Sequence, residues 1–243
     1  MNLVIDVGNT IVKVAVFNKG VILYNETFKV KSFPDKIAVI FSKYPELQYG
    51  ILSNVGMISA DTVQIIKNKL KLHILSPDSN IPFKNNYTTP TTLGADRMAL
   101  VTAAYYRYPK QNSLIIDAGT CITYDILDAQ QNYWGGAISP GIQMRFKALH
   151  QFTSNLPLVS DIVLDDFIGN STQKSIISGV INGIVQEIEG IIVQYSKRYK
   201  DLTVILTGGD AQFLSKQLKN TIFANSKFLL EGLNYILKLN KDR

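Results

Sequence analysis

Two short stretches of this chain carry the residue types that phosphate and cation chemistry needs, and they match one another. Near the start, Leu3-Val4-Ile5 leads into Asp6-Val7-Gly8-Asn9-Thr10, and Ile11 to Phe17 then alternates like a strand. Further on, Leu114-Ile115-Ile116 leads into Asp117-Ala118-Gly119-Thr120, with a second strand-like run from Cys121 to Leu127. A carboxylate can hold a cation directly or through water. A glycine lets backbone N–H groups approach a phosphate closely, and the threonine adds a hydroxyl donor. Two such turns facing each other would make a phosphate-and-metal clamp at a seam between two halves. One copy alone would read as a hairpin whose glycine supplies a positive φ; two matched copies, each after an apolar strand, favour the clamp.

The elements that must hold these turns read as α/β throughout. Period-two apolar runs predict strands at Leu3–Val7, Ile11–Phe17 and Val21–Phe28, with Asn18-Lys19-Gly20 as a hairpin turn. A helix follows over Asp35–Tyr44, then strand Gly50–Ser53, helix Asp61–Leu70, strand Leu72–Leu75, a Pro-, Asn- and Thr-rich loop from Ser76 to Leu93, and a helix from Asp96 to Tyr108. The second half repeats the order. It has strands Leu114–Asp117, Ile122–Leu127 and Tyr133–Ile138, a helix after Ser139-Pro140-Gly141, and a long helix from Ser171 or Thr172 to Tyr199. Strand Val204–Thr207, the turn Gly208-Gly209-Asp210 and a helix from Ala211 close the pattern. Three strands followed by helix–strand alternation, twice over, predict a duplicated domain with halves 1–112 and 113–243.

Composition bounds the function classes. With 46% hydrophobic and 18% charged residues over 243 positions, the chain has the material for a substantial core. The net charge of +6 comes from scattered Lys and Arg without a dense basic run, which predicts a basic surface that attracts anionic substrates and no nucleic-acid partner. Cys121 is the single cysteine, so no internal disulfide framework exists, and a reducing compartment suits it. With only His73 and His150 and no Cys/His cluster, no zinc site is expected. The N-terminus has no signal-peptide pattern and no segment reads as long enough to span a membrane; a cytoplasmic protein is expected.

Asp6-Val7-Gly8-Asn9-Thr10, Gly94-Ala95-Asp96-Arg97, Asp117-Ala118-Gly119-Thr120, Ser139-Pro140-Gly141 and Leu206-Thr207-Gly208-Gly209-Asp210, in this order, resemble the type III pantothenate kinase family. Arg145-Phe146-Lys147-Ala148-Leu149-His150 and Leu156-Pro157 fit the same resemblance, which covers essentially the whole chain. It implies duplicated ribonuclease H-like (actin-like ATPase) domains with mixed sheets flanked by helices. The implied activity is ATP-dependent phosphorylation of pantothenate to 4′-phosphopantothenate, the first step of coenzyme A synthesis.

The resemblance also implies roles. Asp6, Val7, Gly8, Asn9, Thr10, Ile11, Val12 and Lys13 would form the first ATP-phosphate loop, with Asp6 on Mg²⁺ through water and Thr120 as a further ATP contact. Lys13 suits neutralisation of phosphate charge or, equally, an outward place on an amphipathic strand. Asp96 would be the general base; without the resemblance it reads as a helix cap. Tyr87, Gly94, Ala95, Asp96, Arg97 and Thr172 would bind pantothenate, Arg97 facing its carboxylate. Thr172 could equally serve by capping the long helix. Asp117 would hold a monovalent cation, K⁺ or NH₄⁺. Gly208-Gly209-Asp210 would receive the adenosine, or be a simple αβ turn. A homodimer is implied, and the apolar stripe Ile176, Ile177, Val180, Ile181, Ile184, Val185, Ile188, Ile191, Ile192 looks wide enough to serve both a core and a partner. Two alternatives stand beside this: a non-catalytic transcriptional accessory protein, against which no helix-turn-helix is seen, and a kinase of the same fold acting on a sugar or acetate.

Overall fold

β1 (Asn2–Val7) is buried along its whole length, as a central strand covered on both faces must be. The computed structural model describes the chain apart from residues 9, 54–57, 161, 164, 165, 242 and 243. It divides into two units, Met1–Arg107 with Lys227–Arg243, and Tyr108–Ser226.

In the first unit β1 pairs antiparallel with β2 (Ile11–Asn18), and β2 with β3 (Val21–Lys29). The β2–β3 turn places Lys19 at φ 48 and Gly20 at φ 91, both left-handed, as a two-residue hairpin that follows the strand twist requires. α1 (Phe33–Lys43) then carries the chain to β4 (Tyr49–Ser53), parallel to β1 on its other side, and α2 (Ala60–Lys69) to β5 (Lys71–Ile74), parallel to β4. The sheet order is β3-β2-β1-β4-β5. Leu3, Ile5 and Val7 meet Phe33, Ile37 and Ile40 of α1 and Val63 and Ile66 of α2 in one core. The two-residue β6 (Lys84–Asn85) and α3 (Ala95–Arg107) follow.

The second unit repeats this course. β7 (Ser113–Ala118), β8 (Cys121–Leu127) and β9 (Asn132–Pro140) form an antiparallel meander. α4 (Ile142–Gln151) and α5 (Thr172–Arg198) lead to β10 (Thr203–Thr207), parallel to β7. α6 (Ala211–Ser215) leads to β11 (Phe223–Ala224), parallel to β10. These five strands lie in the order β9-β8-β7-β10-β11, the same as in the first unit. Both sheets are mixed and flanked by helices.

Two features differ from the sequence reading. The chain ends in a further helix, α7 (Phe228–Asn240), which packs across β1, β2 and β4 and against α3. The segment from Lys227 therefore belongs to the unit that begins at Met1, whereas the expected second half ran from 113 to 243. The physical cause is the apolar face of Leu229, Leu230, Leu233, Ile236 and Leu237, all buried there. Gly232 lets the two helices touch: a Cβ on it would lie 1.8 Å from the Ala99 carbonyl oxygen. Second, by length and composition α5 could cross a membrane, contrary to the expectation that no segment would. The nine residues of its apolar stripe are accounted for within the unit: Ile176, Ile177, Val180, Ile181, Ile184, Ile188 and Ile192 are core, and Val185 and Ile191 pack against it. The stripe thus leaves little surplus face on the helix itself.

Candidate active site

The two acidic turns occupy equivalent places. Asp6 ends the central strand of its sheet, opposite Lys13 on the antiparallel neighbour and Ser53 on the parallel one. Asp117 ends its own central strand, opposite Thr123 and Thr207 in the same sense. Each turn closes tightly, Gly8 N–H donating to Ile11 O at 2.9 Å and Gly119 N–H to Cys121 O at 2.9 Å.

In the first unit Asp6 is buried, and Ser53 Oγ donates to its Oδ1 at 2.5 Å. Burial pushes the Asp6 carboxyl above the ordinary carboxylate range. The Ser53 hydrogen bond and the Lys13 charge oppose this, and the nearby Asp96 charge adds to it. Lys13 and Asp96 are thus each within electrostatic reach of Asp6. Thr10 and Ile11 are exposed, while the Val7 and Val12 side chains lie in the core, so only the backbone of those two can meet a ligand. Asn9 lies outside the described residues.

Gly94 precedes α3, and Ala95 opens it. Asp96 sits inside the first turn, where its Oδ1 accepts the Arg97 N–H at 2.8 Å, so it is not the residue before the helix that a cap would be. Arg97 is buried, with its guanidinium carbon 5.4 Å from the centre of the half-buried Tyr87 ring. Gly94, Ala95, Asp96 and Arg97 thus lie at the start of one helix, with Tyr87 against Arg97.

In the second unit Gly208, at φ +99, sits on the acidic turn: a Cβ there would lie 2.2 Å from Ala118 O and 2.5 Å from Asp117 Oδ1. Asp210 N–H donates to Ala118 O at 3.0 Å, and burial raises the Asp210 carboxyl. The Gly208-Gly209-Asp210 segment is thus built against Asp117, while Thr120 is exposed. Thr172 lies elsewhere in this unit. Ser171 caps α5, its Oγ accepting the Lys174 N–H at 3.3 Å, so Thr172 has no capping task. It lines an open cleft of about 1110 Å³ with Arg145, Leu149, Phe152, Ser171 and Ile176.

The family model for type III pantothenate kinase matches residues 2–194. A type III pantothenate kinase from Christiangramia forsetii is 52% identical over the full length of both chains, and one from Flavobacterium johnsoniae is 45% identical, again over both full lengths. This chain belongs to the type III pantothenate kinase family. Among solved structures, one from Campylobacter jejuni described as a Baf family transcriptional activator aligns with a TM-score of 0.62 at 23% identity, over 99% of this chain and all of that one. A ROK family glucokinase from Streptomyces griseus, in complex with glucose and AMPPNP, aligns at 0.54 with 11% identity over 100% and 99%. At these identities the likeness concerns the fold, which is the duplicated ribonuclease H-like, actin-like ATPase arrangement.

For a member of this family, two site features escaped the sequence reading. Ser53 holds the Asp6 carboxylate from a strand 47 positions on; its hydroxyl at the end of a buried strand was the only signal. Arg145, noted only as part of a matching segment, is committed to Ser139, Pro140 and Glu187. Among the described residues no group of three or more His, Cys, Asp or Glu side chains could hold a metal ion. Asp6 supplies one buried carboxylate, and Mg²⁺ is commonly held by one or two carboxylates and substrate phosphates.

Proposed function

We infer that this protein transfers the γ-phosphoryl group of ATP to the primary hydroxyl of pantothenate, giving 4′-phosphopantothenate in the first step of coenzyme A synthesis. The observation that carries the reading is the approach of both Asp96 and Lys13 to Asp6, on a chain whose full-length relatives are type III pantothenate kinases. Phosphoryl transfer asks for positioning, charge neutralisation and an acceptor for the hydroxyl proton. The turn after Asp6 would offer the phosphates the Thr10 hydroxyl and the Lys13 ammonium, while Gly8 N–H closes the turn onto Ile11 O; Thr120 is a further ATP contact. Mg²⁺, when bound, neutralises β- and γ-phosphate oxygens, and Asp6 would hold it through water. Arg97 pairs with the pantothenate carboxylate beside Tyr87, and Asp96 takes the proton of the attacking hydroxyl. Asp96 lies in the first turn of α3, and a carboxylate acceptor suffices when the hydroxyl proton leaves late. Asp117 would hold a monovalent cation, K⁺ or NH₄⁺. Thr172 contributes to the pantothenate pocket, and the turn Gly208 to Asp210 receives the adenosine.

The activity belongs in the cytoplasm, where the single thiol stays reduced, and the protein works as a homodimer without nucleic-acid or membrane partners. Phe152, Leu158, Val163, Phe167 and Ile168, more than half exposed and clustered in sequence before Thr172, are the apolar surface a partner copy would cover. Light scattering should then give about twice the 27.1 kDa chain mass. Coupled ADP-release assays with pantothenate, acetate and glucose test the reading directly. Turnover should require pantothenate and fall by about 10²–10⁴-fold in Asp96→Asn with an unchanged melting temperature. Release of ADP with glucose or acetate instead would reject it.

A further inference from the structure

Glu187 lies in the middle of α5 and takes no part in the roles above, yet it is tied to the second acidic turn from two sides. Its Oε1 accepts from Tyr124 Oη at 2.9 Å, and Tyr124 is a fully buried residue of β8, the strand that leaves the turn. Its Oε2 accepts from Arg145 Nη2 at 2.5 Å. The same guanidinium donates to Ser139 Oγ and to Pro140 O, both at 2.9 Å. The next residue, Gly141, lies directly on the turn: its N–H donates to Thr120 O at 3.1 Å, and a Cβ on it would sit 2.1 Å from Gly119 O. The Ser139-Pro140-Gly141 corner therefore rests on the Gly119–Thr120 backbone and is held there by a guanidinium whose orientation Glu187 sets. Arginine suits this because its planar fork serves several acceptors at once. Burial pushes the Glu187 carboxyl up, but the hydrogen bonds from Arg145, Ser139 and Tyr124 outweigh it and hold the carboxyl below its ordinary range, so the group stays charged near neutrality.

We propose that Glu187, acting through Arg145, is a positioning residue for nucleotide: it fixes the corner that sets the geometry of the Gly119–Thr120 turn, and with it the affinity for ATP phosphate. This rests on the nucleotide role given above to Thr120. It also means that Arg145, although it lines the cleft beside Thr172, is not the cation for the pantothenate carboxylate.

Glu187→Gln keeps the size and the bond to Tyr124 while removing the negative charge that faces Arg145. ATP KM should rise by about tenfold, the effect of losing one charge-assisted hydrogen bond. The dissociation constant of AMP-PNP, read by calorimetry without pantothenate, should rise in parallel, while pantothenate KM stays within about twofold. Arg145→Lys keeps a positive charge but loses the fork, and should show the same ATP-selective change. Glu189→Gln removes a charge two positions along the helix whose oxygens meet Lys219 and Asn220 instead, and should leave ATP KM as it is. Unchanged AMP-PNP affinity in Glu187→Gln and Arg145→Lys, or a rise in pantothenate KM in place of ATP KM, would overturn the proposal. If the wild-type protein released no pantothenate-dependent ADP, the function above would fail while calorimetry still decided the role of Glu187.

Discussion

Replacing Gly94 with alanine perturbs the proposed base without substituting it. The Gly94 backbone is outside the left-handed region, so alanine is accepted there without strain. The added Cβ would lie 2.4 Å from Asp96 Oδ1, with Asp96 Cγ at 3.6 Å and the Arg97 Cδ at 3.9 Å, both ordinary contacts. The overlap is thus confined to one carboxylate oxygen. Restoring van der Waals distance moves that oxygen by about 1 Å and breaks the 2.8 Å bond from Arg97 N–H. A displacement of this size at a reacting group costs about 10²-fold in rate. The fold should barely notice: the lost hydrogen bond is worth about 0.5–1.5 kcal/mol, and the reduced freedom of the unfolded chain returns about 0.4–1 kcal/mol. Gly94→Ala should therefore lower kcat in the coupled ADP assay by about two orders of magnitude, with a melting temperature within a few degrees of wild type. A correctly folded variant with kcat within about twofold of wild type would show that the carboxylate orientation seen here is not the working one, and would undercut Asp96 as base.

Ser53→Ala removes a hydrogen bond that favours the ionised form of Asp6, so the already raised Asp6 carboxyl rises further. If charged Asp6 is needed to hold Mg²⁺, the acid limb of the kcat/KM profile for ATP shifts to higher pH, and an unmoved limb counts against that role. In Gly232→Ala the new Cβ meets the Ala99 backbone at 1.8 Å, which cannot rotate away. Forcing α7 from α3 should cost about 3 kcal/mol or more in urea unfolding; a loss below about 1 kcal/mol would mean that the two helices pack less closely than described. Exchange of K⁺ for Na⁺ or a bulky organic cation should slow turnover, and Asp117→Ala should abolish the difference; equal rates in all salts would remove the monovalent site.

Much of this protein is legible along the chain because it is local. The period-two runs beside Asp6 and Asp117, the Gly-containing turns after them and a capping hydroxyl at Ser171 or Thr172 each depend on residues within a few positions, and the strands formed where expected to within a residue or two. The repeat of one turn in two places also signalled the duplication, since the same topology must position each. What only the tertiary structure decided are pairings across long stretches of sequence. Ser53 reaches Asp6 because parallel pairing of β4 with β1 puts them opposite each other, a register that no local pattern encodes. Thr172 is relieved of capping by its neighbour, a choice between adjacent hydroxyls that backbone geometry settles. Glu187 meets Arg145 over 42 positions and Tyr124 over 63, once α5 lies on the sheet. The return of α7 to the first unit follows from an apolar face that is plain in the sequence, but hydrophobic burial has no direction along the chain. Its partner, the surface of β1, β2, β4 and α3, exists only after the first hundred residues have folded around a strand buried on both sides.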